Sequence, residues 1–501
     1  MSQNFNKDVK SGMIWGILER GGVQFCKFVA GIALARLLSP TDFGILGLSV
    51  IFTGVSGSIS NLSFGMAIIQ RDDVRPDHYA TLFVTQLVIN SLVFLALLSI
   101  SPYVGAYFGN PLVGSVMAVS STNFLIRVIG GCPSATLRRG RGFRMLSISN
   151  VMDAFVDVCV SVVLAFFGFG VWSLVYGALS GALISNIYLV KASGWRPSLK
   201  VTRTAFREMF GFGAGVSLSE FLTDAADRAS NFVIGKVLGT AALGYFEKGQ
   251  SLMNRPMRDL GKRTQRVLFP VFARIRNEQG RFRAAVRRTI LTVSLISYPV
   301  FLSLIVLAPQ VIHVLFGSQW APAVLPFQVL CLAGIPRLIL QVMIMATFVT
   351  GSSKTEVKRR MVMAMLTLGG SFIGVRWGLP GVAAVVAIVA MIGLISGIWQ
   401  VHRLGLLRPI ADVLKPQSIP FAATALMAVV ERASQAWTLS IGLNAFAVLA
   451  ISLSIGSMAY LTAVALMRDE HVTRLFTEFA GDLVPVTERV PMLGTLARRF
   501  R

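Results

Sequence analysis

Long apolar runs separated by short polar connections dominate the chain, and their length sets the architecture. A run of about 20 apolar residues is what a helix needs to cross a bilayer core at 1.5 Å per residue. Inside hydrocarbon such a run must be helical, because each backbone polar group needs a partner within its own segment. The pattern predicts spans at 12–37, 42–68, 79–104, 113–134, 146–168 and 170–191. A second series follows at 209–235, 239–261, 288–315, 322–349, 357–376 and 379–401, and two more spans lie at 417–433 and 438–466. The expected fold is an all-α integral membrane protein of about 14 transmembrane helices. Met1–Lys10 is polar and no small-residue cleavage site follows the first apolar run, so the first span is expected to remain in the protein.

Charge in the connections orients these spans. Basic residues gather at Lys7 and Lys10, Arg71 and Arg75, Arg138 to Arg144, Lys191 to Arg203, Lys262 to Arg288, Lys354 to Arg360 and Arg403 to Lys415. The alternate connections, near Ser39–Asp42, Gly109–Leu112, Gly168, Gly239–Ala241 and Gly317–Ala321, carry no Lys or Arg; Arg376 and Arg432 are the exceptions. By the positive-inside rule both termini are expected in the cytoplasm. The net charge of +24 therefore points to anionic lipid headgroups rather than to nucleic acid. Phe269–Arg288 and the tail Arg468–Arg501 read as basic amphipathic segments on the inner leaflet. With 54% hydrophobic and 14% charged residues, a soluble enzyme is excluded. The connections leave no room for an external catalytic domain. Cys26, Cys132, Cys159 and Cys331 lack metal-ligand spacing, His78, His313, His402 and His471 are isolated, and no metal or cofactor is expected.

The chain also repeats. Ala35–Gly44 closes span one and opens span two, and Gly235–Gly244 does the same 200 residues later for spans seven and eight. Arg127 matches Arg337 and Gly170-Val171 matches Gly381-Val382 at offsets of 210 and 211. An even number of spans per repeat implies parallel halves: an N-lobe over 1–205 and a C-lobe over 206–405. Two six-helix lobes related by a pseudo-two-fold axis around a central cavity is a transporter architecture. Spans 13 and 14 (406–466) and a cytoplasmic tail (467–501) follow.

Ionisable residues inside spans cost about 2.5–3.5 kcal/mol each at mid-bilayer and mark interior surfaces. Span one holds Glu19, Arg20 and Lys27, and span seven holds Glu220, Asp224, Asp227 and Arg228. Arg20, Gln24 and Lys27 step by four and three along one helix face, as do Glu220, Asp224 and Asp227. Either the two stripes face each other across a cavity that takes an anionic headgroup, or they form an ion-pair network holding the lobes. Arg127 and Arg337 either grip a phosphate bidentately, as guanidinium does, or snorkel to the interface, and Arg255 and Arg258 in span eight are further candidates for the substrate path. Asp153 and Asp157, four apart in span five, are candidates for a proton or sodium site or a buried pairing. Glu247, Lys248, Arg255, Arg258 and Asp259 make span eight the least apolar. Pro299, Pro336 and Gly211–Gly215 are positioned to kink helices.

Several local signatures carry a family resemblance. Arg36-Leu37-Leu38-Ser39-Pro40-Thr41-Asp42-Phe43-Gly44, Gly170-Val171-Trp172-Ser173-Leu174-Val175, Trp195-Arg196-Pro197, Ala242-Leu243-Gly244-Tyr245 and Phe316-Gly317-Ser318-Gln319-Trp320 occur in that order. Together they resemble the bacterial O-antigen and exopolysaccharide flippases of the multidrug/oligosaccharidyl-lipid/polysaccharide exporter superfamily, over residues 10–405. The resemblance implies movement of undecaprenyl-pyrophosphate-linked oligosaccharide from the cytoplasmic to the periplasmic leaflet by alternating access, with a proton or sodium gradient as the candidate driving force and polysaccharide polymerase and export proteins as candidate partners. A multidrug antiporter of the same fold, a lipid II flippase and a membrane-embedded polymerase or glycosyltransferase are the competing functions.

Overall fold

A computed structural model describes residues 21–61, 75–140, 142–207, 224–225, 228–350 and 353–467, with side chains at all of these but 58–61, 258–260, 262–267 and 353–354. Among the described residues the regular structure is helical, with no strand. The helices are α1 (residues 21–37), α2 (Pro40–Asn61), α3 (Pro76–Tyr107), α4 (Pro111–Arg139), α5 (Phe143–Phe166) and α6 (Val171–Ser193). After them come α7 (Ala229–Val237), α8 (Gly239–Ile275), α9 (Gln279–Val306), α10 (Ala308–Phe316) and α11 (Val324–Val349). The series ends with α12 (Ser353–Gly374), α13 (Gly378–Arg403), α14 (Ser418–Ser440) and α15 (Ala445–Leu466).

Among the described residues, nine helical segments are long and apolar enough to cross a membrane. One of them, Thr355–Arg403, runs through two predicted spans, broken between them by a 3-10 turn at Val375–Trp377. Large apolar side chains such as Phe166, Phe421, Val429 and Leu466 are exposed, as a surface meeting lipid requires. The chain is a multi-pass helical membrane protein. Pro299 and Pro336 lie inside α9 and α11, while Gly211–Gly215 and Arg468–Arg501 fall outside the described residues.

Local chemistry explains the helix ends. Ser39 caps α2: its N–H and hydroxyl donate to Asp42 Oδ2 at 2.9 and 2.7 Å, and Pro40 supplies a first-turn residue that needs no N–H partner. Asn110 and Asn444 cap α4 and α15 by accepting from Leu112 N–H and Ala447 N–H. The sharp turns after α3 and α10 place Gly109 and Gly317 at φ of +67° and +95°, where a side chain would be strained.

The chain divides into two compact units. The first comprises Met1–Lys248, Leu315–Pro322 and Arg360–Val382; the second comprises Gly249–Val314, Ala323–Arg359 and Ala383–Arg501. In the first, α5 and α6 pack closely because α6 presents glycine: a Cβ at Gly177 would meet Ser161 Oγ at 1.9 Å, and one at Gly181 would meet Asp153 O at 2.5 Å. In the second, the α14–α15 hairpin docks on α9 through Leu291, Ala423, Met427, Tyr460, Ala463 and Val464. Tyr460 O–H donates to Leu295 O at 2.6 Å, so a polar tip crosses that interface without an orphaned hydrogen.

Candidate functional site

The first unit contains a cavity of about 680 Å³ between α2, α3, α4, α5 and α6, lined by polar and apolar side chains in similar measure. Five amides stand in its wall: Gln86 and Asn90 from α3, Asn123 from α4, Asn150 from α5 and Asn186 from α6. Two adjacent glycines of α4 make room for two of them. A Cβ at Gly130 would meet Asn186 Oδ1 at 1.7 Å, and one at Gly131 would meet Gln86 Oε1 at 2.2 Å. Gln86 Oε1 is buried without a partner in the structure and is free to accept from a ligand. Arg127 and Arg138 bring positive charge to the same wall. Arg127 Nε donates to Asn123 Oδ1 at 3.1 Å, which orients the guanidinium.

The acidic pair of α5 borders this cavity. Asp153 lines it and takes a 3.5 Å hydrogen bond from Ser185 Oγ, whereas Asp157 accepts from Ser161 Oγ at 3.3 Å. The charges of Lys27 and Asp153 both act on Asp157, so Lys27 of α1 has an acidic neighbour on α5. An amide offers donor and acceptor together and matches a sugar hydroxyl, while a guanidinium matches a phosphate oxygen pair. The cavity can hold a polar, hydroxyl-rich group bearing negative charge.

A second assembly gathers the signature segments. Trp320 is fully buried, and its indole N–H donates to Ala35 O at 2.8 Å. Gln319 Nε2 donates to the same carbonyl at 2.8 Å. Phe43, Tyr245 and Phe316 surround the Trp320 ring with centroids 5.5 to 5.9 Å away. Lys248 stands 3.8 Å above the Phe43 ring and donates to Gly31 O at 3.3 Å. Gly170 abuts the Asp42 carboxylate, to which a Cβ would come within 3.1 Å. Four of the five sequence signatures thus meet here; the fifth packs elsewhere, with Trp195 5.2 Å from Phe83.

Around this cluster the repeated segments contact one another reciprocally. A Cβ at Gly44 would meet Thr240 O at 1.7 Å, and one at Gly244 would meet Pro40 O at 1.9 Å. Gly44 and Gly244 are 200 residues apart, as are Pro40 and Thr240. Arg36 donates to Leu315 O at 3.4 Å, and Lys236 donates to Tyr107 O while lying 3.9 Å over the Tyr107 ring. Both acceptors immediately precede a Phe-Gly turn. Farther along α2, Gly47 faces the Glu247 carboxylate and Gly54 faces the Arg228 guanidinium. Asn231 Nδ2 donates to Glu247 Oε1 at 2.9 Å, and the charges of Arg228 and Lys248 act on Glu247. This half-buried carboxylate therefore has compensating charges beside it.

Of the predicted site residues, the cavity unites Arg127 and Asp153, with Asp157 and Lys27 adjoining. Gln24 lies on an exposed part of α1, and Asp224 is half-buried one turn before Arg228. Arg255 and Arg337 are half-buried in α8 and α11 of the second unit. Glu19, Arg20, Glu220 and Asp227, and the side chain of Arg258, fall outside the described residues. The wall amides are not among the residues the sequence singled out, since they carry no full charge; Asn and Gln inside apolar runs are the signal that marks them.

A multi-pass helical protein with a basic-rimmed cavity inside one helical unit has the construction of a transporter. Residues 33–325 match the family described as polysaccharide biosynthesis protein, and the chain belongs to that family. It is 24% identical over 469 residues to the teichuronic acid biosynthesis protein TuaB of Bacillus subtilis (strain 168), covering 91% of this chain and 95% of the relative. It is 26% identical over 323 residues to the succinoglycan biosynthesis transport protein ExoT of Rhizobium meliloti (strain 1021), covering 63% and 64% of the two chains. The structure of the lipid II flippase MurJ in an inward closed conformation has the same fold, with a TM-score of 0.72 at 15% identity over 91% of this chain and 98% of that one.

Proposed function

We propose that the chain is a flippase that moves lipid-linked oligosaccharide units from the cytoplasmic to the outer leaflet for polysaccharide assembly. The observation that carries this reading is the amide-walled cavity with Arg127 and Arg138 on its rim, in a chain of the polysaccharide biosynthesis family. A glycan presents many hydroxyls and a lipid pyrophosphate presents charge, and that wall suits both. The carrier is an undecaprenyl pyrophosphate, and the membrane is the bacterial inner membrane with both termini cytoplasmic; the basic connections support this orientation. Two lobes, 1–205 and 206–405, move by alternating access, and the contacts around Trp320 and Gly44–Gly244 part in each cycle. Arg20, Gln24, Lys27, Arg127, Arg255, Arg258 and Arg337 belong to the substrate path. The acidic residues Glu19, Glu220, Asp224, Asp227, Asp153 and Asp157 balance these charges.

The test is a strain lacking the gene but able to make its sugar repeat. Complete lipid-linked repeats accumulating on the cytoplasmic face, with no polymer outside, are the expected result. Accumulation on the outer face would assign the chain to polymerisation instead. Normal polymer with no accumulation would end the flippase reading for that pathway, and loss of viability would point to lipid II.

A further inference from the structure

The α14–α15 hairpin of the second unit buries a carboxyl that the proposed path does not use. Glu431 of α14 has no exposed surface. Ser303 of α9 donates its hydroxyl to Glu431 Oε1 at 2.6 Å, while Oε2 is without a hydrogen-bond partner. No ion pair among the described residues includes it. Space for the carboxyl comes from Gly456 of α15, where a Cβ would lie 2.3 Å from Glu431 Cγ and 2.6 Å from Oε1.

The surroundings of this carboxyl differ on its two sides. Toward residues 441–444, Ser434 sits one turn farther along α14 and Ser452 one turn from Gly456 along the antiparallel α15. The Oγ atoms of both are buried and unpartnered. Beyond them Gln435 donates to Gln310 Oε1 at 2.7 Å, and the exposed Arg432 donates to Gln435 Oε1 at 2.6 Å. In the opposite direction Met427, Ala423, Ala463 and Val464 bring apolar side chains to the interface, and Thr424 of α14 and Ser297 of α9 add two more buried, unpartnered hydroxyl oxygens. Glu431 therefore sits in a polar seam along the hairpin, with more polar side chains toward Ser440 and more apolar ones toward Ala423.

Orphaned buried oxygens each cost about 1–3 kcal/mol unless water or a ligand satisfies them. A bare carboxylate with one hydroxyl partner in lipid surroundings costs more, and a proton removes that charge. Nearest to Glu431 along the packed helices are Arg432 on α14, Tyr298 on α9, Tyr460 on α15 and His313 on α10, while Lys415 lies in the turn that precedes α14. The arginines of α9 end at Arg288, fifteen residues and roughly 22 Å from Ser303.

We propose that Glu431 is a proton-binding site, hydrated through the Ser434–Ser452 seam from the Ser440–Asn444 end, whose loading drives transport. Loading joins one proton from water to the carboxylate oxygen, and release returns it to water; nothing is oxidised or reduced. Only the coupling to transport rests on the flippase reading.

The experiment uses the full chain in proteoliposomes. Infrared spectra across pH are expected to contain the C=O stretch of a protonated carboxylic acid that titrates, shifts in D₂O and vanishes in Glu431→Gln. Ser303→Ala, which leaves the carboxyl in place, is expected to move that band without removing it. With an imposed proton gradient, wild-type flipping is expected to rise several-fold and Glu431→Gln flipping to be unresponsive. Spectra of wild type and Glu431→Gln that coincide at every pH would overturn the site. Stabilisation by sodium that Glu431→Gln abolishes would replace the proton with a cation. Wild-type protein that moves no lipid-linked oligosaccharide would defeat the flippase reading, while the infrared comparison would still decide the site.

Discussion

Gly44 and Gly244 carry backbone contacts that no other residue type allows. A methyl group at Gly44 would sit 1.7 Å from Thr240 O, so two helix ends must separate to admit it. Gly57, on the same helix, has open space around its Cβ position. Gly44→Ala is accordingly expected to cost about 1–3 kcal/mol, as overpacking does. Gly57→Ala should change stability by no more than about 0.5 kcal/mol. Thermal unfolding of the purified variants in detergent checks both, and equal melting temperatures would contradict the contact. Trp320→Ala is expected to cost about 3–5 kcal/mol by emptying the ring cluster and leaving the Ala35 carbonyl with one donor fewer. The importance of these residues was visible in the sequence, because the segments carrying them recur in order and two of them repeat at an offset of 200. What they touch was not. Ala35 and Trp320 are 285 positions apart, and apolar periodicity carries no information about which distant turn covers a helix end.

At the scale of helices, run length and the alternation of basic connections were enough to predict helical spans, because lipid permits no other backbone solution. Polar amides escaped notice since one Asn or Gln hardly changes the hydropathy of a run. They reach the cavity because Gly130 and Gly131 thin α4 on the faces turned to α6 and α3. Arg127 extends from the same helix with its side chain exposed to the cavity, so its removal should spare stability and impair function. Losing a charge-assisted hydrogen bond of about 1.5–3 kcal/mol predicts an Arg127→Ala flipping rate lower by roughly 10- to 150-fold. Arg127→Lys is expected to recover part of that loss, since lysine keeps the charge and loses the bidentate fork. Equal rates for Arg127→Ala and wild type in a proteoliposome flipping assay would remove Arg127 from the path. The Lys27–Asp157 relation links α1 to α5, and a double-mutant cycle with Lys27→Met and Asp157→Asn addresses it. A coupling of about 0.5–3 kcal/mol in stability is expected, with the double variant less impaired than the singles sum to. Additive losses would mean that the two charges act separately.

For the molecule as a whole, the reciprocal contacts matter because of what they must do during transport. Alternating access requires that a substrate path open toward each leaflet in turn, so contacts closing one end have to break. The Trp320 cluster, the Gly44–Gly244 approach and the two carbonyl contacts of Arg36 and Lys236 tie together segments that belong to different lobes in the proposed division at 205/206. None of these ties is a buried ion pair, and each rests on short-range packing or a hydrogen bond to a backbone carbonyl. Each hydrogen bond among them is worth about 0.5–3 kcal/mol, so substrate binding can offset them. A covalent tie cannot be offset in that way. With the four native cysteines replaced, Ala35→Cys and Gln319→Cys place thiols at positions whose groups already meet at 2.8 Å. Bridging them with a short thiol-reactive crosslinker should stop flipping while leaving the protein folded by thermal unfolding. A reducible crosslinker should restore flipping when cleaved. Flipping at the uncrosslinked rate with the bridge quantitatively formed would show that this cluster stays closed throughout the cycle. The moving closure would then have to lie elsewhere, and the signature segments would be a structural pin on which the cavity-bearing helices are hung.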